Sequence, residues 1–167
     1  MTTEIRVGSK HVAIVDDCDV ERVLLFRWHP QAKRNETVYA RTEFQIEGVR
    51  TRLLMHRLIL DARPGQFTDH VDGNGLHNWR SNIRLCTHAE NARNSRKHKV
   101  SVRSPYKGVY AYSTSGKWLA VIRNPALRRQ IAIGVFDDPV AAARAYDIEA
   151  RRLFGEFAAP NFPDNNP

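Results

Sequence analysis

Four consecutive turn formers, Asp72-Gly73-Asn74-Gly75, stand between two β-prone runs, and neither a regular helix nor a regular strand passes easily through them. Thr68 to Val71 and Ile83 to Cys86 are therefore expected as two strands bridged by a loop. Thr87-His-Ala-Glu90 follows with the spacing of a capping box, a Thr hydroxyl for the third backbone amide and a Glu reaching back. A helix is expected from His88 to about Arg96. The order over this stretch is strand, loop, strand, helix.

The flanking sequence reads as two blocks. Residues 4–55 are a series of short strands, with Val12 to Val15, Thr37 to Ala40 and Thr51 to Met55 as β-prone runs, then one apolar helical turn from Met55 to Leu60 and a break at Pro64-Gly65. Arg96 to Ser104 is a polar, basic connector ended by Pro105. Beyond it three strands are expected, Tyr106–Tyr112, Lys117–Arg123 and Gln130–Phe136, with turn signals at Ser115-Gly116 and Asn124-Pro125. Asp138 suits a helix N-cap and Pro139 the first helical position, and Gly155 is placed to stop the helix. The alanines between them allow that helix to lie close against a sheet. The division is thus 1–95, with a core at 56–95, a linker at 96–104, a second domain at 105–162 and a tail at 163–167. The fold class is α+β.

Charge narrows the function classes. The chain carries 26 Lys and Arg against 18 Asp and Glu, a net charge of +8. From Arg93 to Phe136 there are ten Lys and Arg and no carboxylate, while the acids gather in Asp16 to Glu21 and after Asp137. A surface that tracks a phosphate backbone needs such a stretch, because a carboxylate facing phosphate costs affinity. Tyr106, Tyr110, Tyr112 and Trp118 interleave with these charges, which distinguishes the segment from a solvated linker. Two cysteines, Cys18 and Cys86, support neither a disulfide framework nor a four-thiolate zinc site. No signal peptide or membrane-length apolar run is visible, so the expectation is a cytoplasmic protein that is not secreted and has no membrane partner.

Oxygen and nitrogen ligands concentrate around the expected hairpin and helix: Asp69, His70, Asp72, Asn74, Asn78, Asn82 and Asn91. Phosphodiester hydrolysis needs an activated water and positive charge near the scissile phosphate. An Asp oxygen and an Asn carbonyl suit a hard cation, Mg²⁺ or Mn²⁺, and a neutral His can take a proton from water near neutral pH. Side chains alternate along a strand, so Asp69 and His70 are expected to need a local irregularity to reach one point. A calcium loop is excluded, because no Glu closes Asp72-Gly73-Asn74 at the required distance. His56 reads as a structural residue or one at the edge of the site. His88, one turn before Asn91, either faces the metal or phosphate or is a partly exposed residue at a helix start. His77 and His98 read as surface residues, and Cys86 as a small buried side chain.

Residues 56–94 resemble HNH homing endonucleases of phages and group I introns, through His56-Arg-Leu, Asp69-His-Val-Asp-Gly-Asn74, Asn78, Ser81-Asn-Ile-Arg-Leu85 and Thr87-His-Ala-Glu-Asn91. The resemblance implies a ββα-metal nuclease core holding one divalent cation, with Asp69 and Asn91 as its ligands, His70 as general base and Asn82 pinning the loop. Asn91 stands where the family often has His, and His77 where relatives often have Asn.

Residues 105–162 resemble a second family, the Apetala or ethylene-response-factor type of DNA-binding domain. The matching pieces are Tyr106-Lys-Gly-Val109, Gly116-Lys-Trp-Leu-Ala-Val-Ile-Arg123, Ile133-Gly-Val-Phe136, Ala141-Ala-Ala-Arg-Ala-Tyr-Asp147 and Leu153-Phe-Gly-Glu-Phe157. This implies a three-stranded antiparallel sheet packed on one helix, the sheet lying in the major groove. Lys107, Tyr110, Tyr112, Lys117 and Arg123 are then the DNA-facing candidates, joined by Arg93 from the helix expected after His88 and by Arg96, Lys97 and Lys99 from the basic connector. Plant members carry Arg or Trp at several positions where this chain has Tyr110, Tyr112 and Ala132, so the plant target sequence does not carry over. The expectation is a metal-dependent DNA endonuclease acting on double-stranded DNA without a small-molecule cofactor; the sequence does not fix the oligomeric state, and a monomer is favoured. The competing reading is a DNA-binding regulator with an unused nuclease site, and a structure-specific RNA nuclease stands third.

Overall fold

The computed structural model describes residues 1–32, 37–94, 104–112 and 116–163, without the side chains of residues 93 and 94. Within these residues the chain mixes α and β structure, as several small antiparallel sheets and a few helices. It divides into two compact units, Met1–Asn91 and Ala92–Pro167.

The first unit begins with a hairpin of β1 (Thr2–Val7) and β2 (His11–Asp16). Alternation along both strands sends Ile5, Val7, Ala13 and Val15 to one buried face. A 3-10 turn at Asp17–Asp19 leads into the short helix α1 (Val20–Leu24), then a second sheet forms from β3 (His29–Gln31), β4 (Tyr39–Ile46) and β5 (Val49–Leu54). Helix α2 (Met55–Ile59) drops Met55 and Ile59 into the same core as Val7, Val15, Val23, Trp28 and Ile83. The strand expected through Met55 stops at Leu54, and the apolar helical turn expected from Met55 to Leu60 forms over Met55–Ile59, burying these two side chains, four residues apart, on one face. The hairpin β6 (Phe67–His70) and β7 (Ile83–Cys86) follows, and the unit ends at Asn91, within the helix α3 (His88–Asn94).

Strand β4 starts two residues later than Thr37 and runs further, to Ile46, because β5 pairs with it along its length from Arg41↔Leu54 to Ile46↔Val49. Along this hairpin Arg41, Arg50 and Arg52 share the carboxylate of Glu43. The N-terminal residues buttress the long loop between β6 and β7. Ile14 N donates to Leu76 O at 2.9 Å and Asn78 N to Ile14 O at 2.7 Å. Asp19, 1 % exposed, takes both arms of Arg80 at 2.8 and 2.7 Å, while Arg80 N donates to Asp16. Asp16 and Asp19 of the 16–21 cluster are thereby tied into the loop, while Asp17 and Glu21 stay exposed.

In the second unit, β8 (Val109–Tyr112), β9 (Lys117–Asn124) and β10 (Arg129–Phe136) form an antiparallel sheet with β9 in the centre. Helix α4 (Pro139–Phe154) packs on one face. Asp138 caps it by accepting from Ala141 N at 2.7 Å. Ala142, Ala143 and Ala150 are buried, which lets the helix approach closely, and Trp118 packs beneath the sheet with Val109 and Ala120. At Gly108 (φ 73°) a Cβ would lie 2.2 Å from the Tyr146 ring, so only glycine fits. The first strand starts at Val109 and not at Tyr106, because Asn161 clamps the preceding turn: its Oδ1 accepts from Lys107 N at 2.6 Å and its Nδ2 donates to Lys107 O at 3.2 Å. Asp147 in turn accepts from Asn161 N and Phe162 N. Ser104, placed in the connector by its polarity, is 4 % exposed and accepts from Tyr106 N. It belongs to this folded unit, and residues 96–103 of the connector lie outside the described residues. Among the described residues no helix is long and apolar enough to cross a membrane.

Candidate active site

Asp69, His70, His56 and Asn91 border one open cavity of about 480 Å³ in the first unit, with Tyr39, Arg57 and Gly73 also on its wall. The β6–β7 register is unbroken, Asp69↔Arg84 and His70↔Ile83, so the irregularity expected for adjacent residues does not exist. His70 is the last residue of β6, where the chain turns through a Gly73 N to His70 O bond of 3.0 Å, and the cavity passes round that strand end. Two residues on opposite faces of a strand can border one cleft at its end.

Each side chain is held from a different element. Asp69 is 8 % exposed, and its Oδ2 accepts from Arg84 Nη2 at 3.0 Å and Nε at 3.3 Å, the residue directly across the hairpin. His70 is 4 % exposed, and its Nε2 lies 3.2 Å from Asn78 Oδ1. An amide oxygen only accepts, so this bond puts the ring proton on Nε2 and the lone pair on Nδ1. Burial pushes the His70 pKa below its ordinary value, although Asn78, Asp72 and Asp69 oppose the shift. The ring is neutral near pH 7, as a proton acceptor requires.

His56 stands edge-on to His70, with ring centroids 4.7 Å apart, and Tyr39 packs on both rings at 5.7 and 5.8 Å. It is 4 % exposed, its Nδ1 has no hydrogen-bond partner among the described residues, and burial with the neighbouring His70 and Arg57 charges lowers its pKa to about 3. Gly75 lets the loop reach this cluster, since a Cβ there would lie 2.5 Å from the Tyr39 ring. His88 is exposed, packs against Phe67 at 5.2 Å and does not border the cavity, which leaves the helix-start reading.

Asn82 lies off the cavity and ties the loop together. Its Oδ1 accepts from Asp72 N at 3.1 Å, and its Nδ2 donates to Asp72 Oδ1 at 3.0 Å and His77 O at 2.8 Å. His77 is not a loose surface residue: its Nδ1 lies 2.6 Å from Asp72 Oδ2 and its ring 4.8 Å from that of Trp79. Cys86 is half-buried rather than buried, its thiol pushed up by burial.

The chemistry of the donor set decides which ion the cavity suits. Asp69 and Asn91 offer oxygens, and among the described residues no cysteine borders the wall, which fits a hard cation such as Mg²⁺ or Mn²⁺. Among the described residues no three His, Cys, Asp or Glu side chains gather as a metal site, so an ion here would complete its shell with water or phosphate oxygens.

In the second unit the candidate DNA-facing residues separate. Tyr110, Tyr112, Lys117 and Arg123 are exposed on β8 and β9. Lys107 is half-buried, and desolvation pushes its ammonium pKa down against the opposing pull of Asp147. Arg96, Lys97 and Lys99 lie outside the described residues, as does the side chain of Arg93.

No family model matches the chain. An uncharacterised HNH endonuclease of Acanthamoeba polyphaga mimivirus is 37 % identical over 95 residues, 57 % of this chain and 46 % of the relative. The ethylene-responsive transcription factor ERF017 of Arabidopsis thaliana is 46 % identical over 67 residues, 40 % of this chain and 36 % of the relative. The dehydration-responsive element-binding protein 2A of Oryza sativa subsp. indica is 44 % identical over 61 residues, 36 % of this chain and 22 % of the relative. The chain is similar to proteins of both kinds. It spans less than half the length of each of these three relatives.

Residue-type reasoning misses three groups that the geometry brings forward. Tyr39 is an ordinary member of a Val-Tyr-Ala strand, and only the fold sets it between His56 and His70. Arg84 becomes Asp69's partner through the hairpin register, which can be counted outward from the connection that holds Asp72–Gly75. Arg128 and Arg129 are exposed beside Arg123 at the β9–β10 end, a group the charge count contains but does not localise.

Burial of His56 has a measurable consequence. The unfolded ring takes a proton near pH 6.5 and the folded one only near about 3, so the unfolded chain binds more protons in between. Stability is therefore expected to fall as pH drops below 6.5, with this group contributing up to about 1.4 kcal/mol per pH unit. His56→Phe should remove that contribution between pH 6.5 and about 5, a range in which most carboxylates stay ionised. Urea midpoints across this range read it out; an unchanged slope would show that His56 accepts a proton while folded.

Proposed function

We propose that the chain is a metal-dependent DNA endonuclease of the HNH type, with a ββα-metal core in the first unit and a DNA-binding sheet in the second. One observation carries the reading: a buried neutral His70, Asp69 and Asn91 all border a single open cavity. Asp69 and Asn91 would hold one Mg²⁺ or Mn²⁺ ion. When bound, such an ion's contribution is to neutralise charge on the scissile phosphate and the leaving oxygen.

The remaining work falls to the chain's own groups. His70 Nδ1 takes the proton from the attacking water, while Asn78 holds the ring in the tautomer that leaves this nitrogen basic. Arg84 orients the Asp69 carboxylate across the hairpin. Asn82 keeps the loop in the shape that presents His70. His56 and Tyr39 exclude water from the far side of the His70 ring. The first unit supplies the cut, and the second adds affinity on the duplex through effective concentration. A homing role is the specific form we favour, on the resemblance of residues 56–94.

The second reading, a DNA-binding regulator, draws on relatives named as transcription factors. An intact Asp69, His70, Asn82 and Asn91 weighs against it. Incubating the protein with supercoiled plasmid separates the two. The nuclease reading expects nicked or linear product with Mg²⁺ or Mn²⁺ and none in chelator; DNA retained without any cut in either metal would sink it.

The sheet's part in binding has its own test. Replacing Arg123, Arg128 and Arg129 together with glutamine should lower the slope of log K against log salt by about two to three units, ~0.9 for each phosphate that is no longer neutralised. An unchanged slope would mean that this end of the sheet does not touch phosphate.

A further inference from the structure

The face of the second unit's sheet opposite α4 is poor in charge. On β9, Trp118, Ala120 and Ile122 pack toward the helix, so alternation turns Lys117, Leu119, Val121 and Arg123 the other way. Register fixes their neighbours: Tyr110 and Val135 beside Leu119, Tyr112 beside Lys117, Ala132 beside Val121, and Gln130 beside Arg123. The shift between Ala132 and Gly134 absorbs Ile133 into the core and keeps Val135 on the outer face. The middle of this face is thus Tyr110, Leu119, Val121, Ala132 and Val135. Lys117 stands at one end, already 3.1 Å from Asp137, and Arg123 at the other, where the turn into β10 adds the exposed Arg128 and Arg129, the latter paired with Asn124 on the other side of the pleat. No carboxylate occurs in the sequence from Arg93 to Phe136.

We propose that this face reads A·T-rich duplex through thymine methyl groups, an inference that rests on the reading of the sheet as a DNA surface. In the major groove guanine is read chiefly by Arg or Lys and cytosine by Asp or Glu, whereas thymine offers a methyl group and adenine a pair of groups that suit Gln or Asn. Among the described residues the middle of the face has no group of the first two kinds, and it has apolar side chains with Gln130 beside them. The basic end supplies the phosphate contact that sets the register. Charge complementarity argues for this occupant over a second copy of the same chain, because Lys117 and Arg123 stand at the two ends of the apolar middle and the one carboxylate beside it among the described residues, Asp137, is already paired with Lys117.

The test uses the full chain in chelator, so that no strand is cut. Affinity is measured at one salt concentration for an A·T-rich duplex, a G·C-rich duplex of equal length, and the A·T-rich duplex with every thymine replaced by uracil. Uracil lacks the methyl and keeps every hydrogen-bonding group. The A·T-rich duplex is expected to bind at least tenfold tighter than the G·C-rich one. Uracil should weaken it by about fourfold for each methyl buried against the sheet. The double variant Val121→Thr, Ala132→Ser keeps the side-chain volumes and should shrink the thymine-to-uracil ratio without changing the salt slope. Equal affinity for thymine and uracil duplexes overturns the proposal, as does a G·C preference or a ratio untouched by the double variant. Salt-dependent binding that ignores base composition would leave the chain a DNA-binding protein and remove the thymine reading. Failure to bind any duplex, with the chain self-associating instead, would remove both.

Discussion

His70→Ala is expected to lower plasmid cleavage by ~10²-fold or more while leaving duplex affinity in chelator nearly unchanged. The expectation follows from position. His70 lies at the end of β6 on the wall of the cavity, neutral, with its proton directed to Asn78 and its lone pair on the other ring nitrogen. Removing the ring deletes the proton acceptor and leaves Asp69 and Asn91 in place. It also deletes a buried partner of Asn78, His56 and Tyr39, so a loss of stability of about 1–3 kcal/mol accompanies it. A melting curve taken beside the cleavage assay separates the two effects. His70→Gln keeps a polar side chain there and should cleave as poorly as alanine. Duplex affinity collapsing together with cleavage, in a variant that still melts cooperatively, would make His70 a structural residue.

The parts of this structure legible in the sequence are those decided by neighbouring residues. Ile83–Cys86 is a strand with the expected bounds, because it lies between a turn and a capping box. That box forms in both directions, Thr87 N to Glu90 at 2.7 Å and Glu90 N to Thr87 Oγ1 at 3.2 Å. Asp138, Pro139 and Gly155 delimit α4 for the same reason. Legibility fails where a partner is distant in the chain. The union of Asp19 with Arg80 spans 61 positions and turns an apparent acidic surface into a buried anchor. The edge of β2 that holds the loop at Leu76 and Asn78 is equally non-local, and without it residues 1–50 have no visible tie to the cavity. Alternation does set Asp69 and His70 on opposite faces of a regular strand. It says nothing of where that strand ends, and at the end a cavity can reach both faces.

Asp69 and Asn91 extend the argument from single residues to a unit. Asp69→Ala and Asn91→Ala should each abolish metal-dependent cleavage, and the double variant should be little worse than either. Both side chains border the cavity that holds His70, one from β6 and one from α3, and the proposed ion needs both at once. The first loss already empties the site, so the second has nothing left to remove. Asp69→Ala carries a second effect, because it takes from the Arg84 guanidinium, 13 % exposed, its carboxylate partner across the hairpin. Asp69→Asn avoids this: an amide oxygen still accepts from Arg84, while the negative charge a divalent cation requires is gone. It should therefore melt close to the parent and remain inactive, whereas Asp69→Ala should melt lower. Cleavage rates in saturating Mg²⁺ and Mn²⁺, set beside melting temperatures, test each part of this. Full activity in Asp69→Asn would show that the carboxylate serves only to hold Arg84. A double variant that lost the product of the two single effects would show that Asp69 and Asn91 act independently rather than on one ion.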